Sequence, residues 1–96
     1  MSSSNSFKDF VLDGLRDLDI ITCRPMMGEF LLYYNGILFG GIYDDRLLIK
    51  ITNSNKKFNL EKQIPYKNAK PMYMVENLDD SDYLSNLIIE TCNDLK

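Results

Sequence analysis

Between Arg24 and Ile51 the chain reads RPMMGEFLLYYNGILFGGIYDDRLLIKI, a series of apolar runs broken at short intervals by turn residues. Asn35-Gly36 lies between two such runs and accepts the positive φ angles of a type I′ hairpin turn. Asp44-Asp45 is a second, weaker turn signal, and Met27-Gly28 suits a turn or bulge. The spacing predicts strands over residues 20–26, 30–34, 37–43 and 46–51. Consecutive strands joined by tight turns must pair antiparallel. Pro25 cannot donate to a ladder, so the first strand belongs at an edge or ends there.

Apolar residues on either side of this meander follow a helical period. Phe7, Phe10, Val11, Leu15 and Leu18 predict a helix from Ser6 or Phe7 to Leu18, with Ser6 as its cap. Gly14 lowers the helix preference and suits close approach to the sheet. Leu84, Leu87, Ile88, Thr91 and Leu95 predict a last helix that opens near Asp79 or Asp80. Residues 53–63 read as a short helix or polar loop, and residues 71–76 as a fifth strand. The order is α-β-β-β-β-α-β-α. The fold class is α+β, a two-layer sandwich with an antiparallel sheet of about five strands and helices on one face. The chain forms a single domain over residues 1–96, with residues 1–5 expected to be disordered.

That architecture leaves one sheet face uncovered, yet the second and third strands are apolar on both faces. Phe30, Leu32 and Tyr34 oppose Leu31 and Tyr33, while Ile37 and Phe39 oppose Leu38 and Ile42. A bare face of such residues is a large exposed apolar patch. Two arrangements would cover it. A second copy can dock on it across a two-fold axis, with Leu31, Tyr33, Leu38 and Ile42 at the interface. Alternatively, the central helix or the segment 64–70 folds across it. The first arrangement is the expectation, and a homodimer the expected state.

Charge bounds the other partners. The net charge is −3, but residues 46–70 carry seven Lys or Arg against one acid, between acidic flanks. Lys56, Lys57 and Lys62 are therefore candidates for a nucleic-acid patch. Aromatic or arginine interleaving is missing there, which favours an ordinary solvated surface. The N-terminal MSSSNSF has neither a basic nor an apolar stretch, so no secretory signal is read. No apolar run approaches the roughly 18 residues of a membrane span. The expected location is the cytoplasm, with Cys23 and Cys92 as reduced, small hydrophobes. The richness in Lys, Asn and Ile suggests an AT-rich bacterial genome.

Candidate chemistry is sparse. There is no histidine, and two cysteines alone cannot build a structural zinc site. Phosphate-binding and nucleophile-elbow motifs are missing. Gly40-Gly41, inside an apolar strand, reads as a bulge or close packing before it reads as a ligand contact. Glu29 is expected in a salt bridge with Arg24 or Lys50. Met26 and Met27 with Met72 and Met74 either fill the core or form a soft partner surface. No metal, cofactor or catalytic residue is assigned.

The order of these features resembles the TfoX N-terminal domain family. Phe7, Val11, Leu12 and Leu15 match its first helix, and Arg24-Pro25-Met26-Met27-Gly28-Glu29 stands where the family has an R-x-M-F-G-G-like motif. Tyr33-Tyr34-Asn35-Gly36, Phe39, Leu47 to Lys50, Pro65-Tyr66 and Met72-Tyr73 follow in order. Met27 replaces the motif's aromatic residue and Glu29 its second glycine. The resemblance implies a small α+β domain similar to secretion-chaperone folds, often dimeric and without enzymatic activity. Within longer members it belongs to regulators of competence genes. The functional expectation is a non-enzymatic, self-associating module that also engages a regulatory protein partner. The alternative is a nucleic-acid-associated regulator using the basic segment 46–70.

Overall fold

The computed structural model describes residues 3–96. Two helices flank a run of strands: α1 (Asn5–Gly14), β1 (Ile21–Met26), β2 (Glu29–Tyr34), β3 (Ile37–Ile42), β4 (Leu47–Ile49), β5 (Glu61–Gln63), β6 (Met72–Val75) and α2 (Ser81–Leu95). All six strands form one antiparallel sheet in the order β1-β2-β3-β4-β6-β5. The fold is the expected α+β class, with one strand more than the sequence predicts. The central helix is reduced to a single 3₁₀ turn at Lys56–Phe58.

Turn chemistry fixes the meander. Met27-Gly28, Asn35-Gly36 and Asp44-Asp45 each place both central residues at positive φ, from 50° to 87°. That is the geometry whose twist matches paired strands. Gly36 adopts it freely at φ 80°, whereas Met27 and the two aspartates adopt it at some cost. The β1 strand lies at an edge, where Pro25 costs the sheet little.

The helices bury one face of the sheet. Val11, Leu15 and Leu18 from the N-terminal segment meet Leu84, Leu87, Ile88 and Cys92 of α2 over Leu32, Phe39, Ile42, Leu47, Ile49 and Val75. The cap of helix α1 lies two residues before the expected Ser6, because Ser4 accepts from the amide of Phe7 at 3.1 Å. It ends at Gly14 instead of Leu18, and turns carry Leu15 and Leu18 into the core. A Cβ on Gly14 would lie 2.8 Å from the carbonyl oxygen of Leu78 and 2.8 Å from Cδ1 of Leu84. The close approach is thus to the start of α2, not to the sheet. Asp80 caps α2 by accepting from the amide of Tyr83 at 3.1 Å.

Register corrects one expected interface residue. Simple alternation sets Ile42 on the face of Leu38. The pairing instead jumps from Leu32 opposite Gly40 to Tyr33 opposite Leu38, which leaves Phe39 as an extra residue in β3. This bulge reverses the parity beyond it. Ile42 therefore joins Phe39 in the core and is fully buried there. Gly40 and Gly41 serve the same crowded stretch: a Cβ would strike the carbonyl oxygen of Leu48 in one case and of Phe30 in the other.

Disorder is expected for residues 1–5. Met1 and Ser2 lie outside the described residues, whereas Ser3 and Ser4 are bonded to the hairpin ends. The Ser3 amide donates to the Gly28 carbonyl at 3.0 Å, and the Ser4 amide donates to Oδ1 of Asp45 at 2.8 Å.

Candidate functional site

The face turned away from the helices divides into a covered half and an open half. Pairing puts Arg24 and Leu31, Thr22 and Tyr33, Leu48 and Met74, and Tyr33 and Leu38 on this side. Beyond β5 the chain crosses back over it before entering β6. Arg46 secures this crossing. Its guanidinium donates to Oε1 of Gln63 at 3.0 Å and to the carbonyls of Ile64 and Pro65 at 3.4 Å, and its Nε donates to the Tyr43 carbonyl at 3.1 Å. The ring of Tyr66 sits 6.1 Å from that of Tyr43 and tilted by 52°. Leu48 is fully buried beneath this flap, and Pro65 is buried within it. Burial, with Tyr66 and Glu29 nearby, pushes the Tyr43 phenol above its ordinary pKa, so the ring stays neutral.

The open half belongs to β1, β2 and β3. Leu31, Tyr33 and Leu38 remain partly exposed there, and Arg24 lies over the Tyr33 ring at 5.7 Å. At one end of the same half Met27 is 97% exposed, the most open large apolar side chain of the described residues. Met26 beside it is also exposed. Of the motif residues, Arg24 and Met26 lie on β1, and Met27 and Gly28 form the turn after it. The structure thus brings Arg24, Leu31, Tyr33 and Leu38 to one surface and removes Ile42 from it.

Between flap and sheet lies a groove of about 620 Å³, which sequence reasoning missed. Leu38, Tyr43 and Met72 line its sheet side, and Pro65, Tyr66 and Pro71 its flap side. Lys50 and Lys70 also line it, and no carboxylate does so among the described residues. The fold-back of residues 64–70 across this face was one of the two arrangements read from the sequence, but the groove it leaves was not.

The candidate basic patch is less concentrated than its sequence. Lys57 forms an ion pair with Glu90 at 3.3 Å, and Lys56 Nζ lies 3.4 Å from Oδ1 of Asn53. Lys62 stands exposed on the edge strand β5. Glu29 departs from its expected salt bridge. Its carboxylate accepts from the Ser3 hydroxyl at 2.6 Å and from the Asp44 amide at 3.1 Å. The hairpin turns bring those donors to it, while Arg24 lies across the strand opposite Leu31.

No helix among the described residues is long and apolar enough to cross a membrane. Groups of three or more potential metal ligands are likewise missing among them. No curated protein matches the sequence. The model of the TfoX N-terminal domain matches residues 13–92, which include every strand and most of α2. That match runs through the hairpins, the Arg24 to Gly28 motif and the flap, and shows that the chain belongs to the TfoX N-terminal domain family, a family of regulatory domains.

Proposed function

We propose that this chain is a non-enzymatic interaction module of a regulatory system, and that it self-associates through the open half of its sheet. The carrying observation is that Leu31, Tyr33 and Leu38 stay partly exposed on a face whose other half is already covered by the chain itself. Aromatic and aliphatic groups beside an arginine are the composition of association surfaces. Met27 extends the patch at a backbone conformation unfavourable to its side chain. A costly conformation at an exposed apolar residue is the kind of strain that accompanies a binding role. The self-associated module also binds a regulatory protein partner.

The test is ultracentrifugation of the wild type and of Leu31→Glu. The wild type associates as its concentration rises. A charge set into the patch weakens that association by about tenfold or more, since each 1.4 kcal/mol lost is a factor of ten. Equal association by the two proteins, with unchanged melting, contradicts the assignment of this face.

A further inference from the structure

The groove beneath the flap has features of a small-molecule site, and it borders the open half of the sheet, with which it shares Leu38. Its volume of about 620 Å³ falls within the range of about 300–1,000 Å³ typical of ligand pockets. Its walls are mostly apolar, with Leu38, Tyr43 and Met72 on the sheet side and the Tyr66 ring, tilted against that of Tyr43, on the flap side. Two ammonium groups, of Lys50 and Lys70, interrupt this lining. Among the described residues neither forms an ion pair with a carboxylate. Positive charge without an internal partner, against an apolar wall, complements a ligand with one anionic end and an apolar body.

We infer that this groove binds a small amphipathic carboxylate, its headgroup between Lys50 and Lys70 and its body against Tyr43, Tyr66, Leu38 and Met72. A phosphate monoester fits less well, because its more strongly hydrated dianion costs more to bring against an apolar wall. A nucleic acid calls for a track of phosphate contacts, which two lysines do not supply. The flap is held over the groove by hydrogen bonds from Arg46 to the carbonyls of Ile64 and Pro65 and by the Tyr66 ring against Tyr43.

The experiment is a titration of the isotope-labelled full chain with octanoate and with 3-phenylpropanoate, followed by amide chemical shifts. Each acid is expected to give saturable shifts centred on Leu38, Lys50, Tyr66 and Lys70, and the corresponding methyl esters much weaker ones. The double substitution Lys50→Gln with Lys70→Gln is expected to weaken acid binding about tenfold, the loss of two partly exposed charge contacts, while melting stays unchanged. Shifts that do not saturate overturn the inference. Equal binding of acid and ester does so too, as do shifts confined to Leu31 and Tyr33. Sedimentation of the double variant separates the two proposals: association through the open half persists when the lysines are replaced, whatever the titration shows.

Discussion

The two thiols differ in setting but share a chemical consequence. Burial pushes the Cys92 pKa up to about 11, with Lys96 opposing it weakly. Burial also raises Cys23, partly offset by Lys8 and reinforced by Asp9. Thiolate is the reactive form, so both groups are poor nucleophiles at neutral pH. Cys92 is expected to react with a thiol reagent such as Ellman's reagent only as fast as the protein unfolds, and fast labelling of the native chain would contradict its placement. Asp94 shows the opposite shift. The Ser54 amide donates to its carboxylate at 2.7 Å, and this bond holds its pKa below the ordinary value of 3.8. A depressed folded pKa contributes stability above the unfolded pKa, and that contribution fades as pH falls through the folded value. In urea denaturation the stability gap between wild type and Asp94→Asn should thus be present at pH 7 and close as pH falls below about 3.8, the ordinary aspartate value. A gap independent of pH would remove the charge from the explanation.

At the scale of elements, helix packing and one buried side chain hold the layers together. Replacing Gly14 by alanine improves helix preference by about 1 kcal/mol. The new methyl group, however, meets the Leu78 carbonyl and Leu84 at 2.8 Å. Overpacking of this kind costs about 1–3 kcal/mol, so Gly14→Ala is expected to lower the urea midpoint, and a raised midpoint would show that α1 shifts freely. Asn55 is fully buried between the 3₁₀ turn and α2. Its amide group donates to the Lys50 carbonyl at 2.8 Å and to Thr91 Oγ1 at 2.9 Å, and its oxygen accepts from the Thr52 amide at 2.9 Å. Asn55→Ala strands these partners and should cost about 3 kcal/mol by equilibrium denaturation. A cost below about 1 kcal/mol would mean that water replaces the side chain. The hairpins were legible because Asn35-Gly36 and Asp44-Asp45 carry the turn chemistry in two adjacent residues. Strand β5 was not, since Glu-Lys-Gln has no apolar alternation and pairs only at an edge. The bulge at Phe39 was hidden as well, because a register shift depends on the partner strand, and so Ile42 was misplaced.

For the whole molecule, the sequence posed two ways to cover the second sheet face, and the structure uses one of them on half of it. Residues 64–71 close over Leu48 and Tyr43, tied by Arg46, while Leu31, Tyr33 and Leu38 stay open. The flap was ambiguous in the sequence because Ile64 and Tyr66 are themselves largely exposed and give no apolar period. The groove escaped notice for the same reason, as its walls come from segments distant in the chain. Overall charge points the same way as the face. The basic stretch is partly neutralised by Glu90, and the molecule as a whole is acidic at −3. The proposed role through protein contacts needs no track of phosphate-binding charge, and this distribution offers none. The most direct test is the mass in solution by light scattering, across dilution and salt, with and without duplex DNA. The mass is expected to rise with concentration toward twice the chain mass of 11.2 kDa and to be indifferent to DNA. A protein that stays monomeric at every concentration, or gains mass only with DNA at low salt, would contradict it.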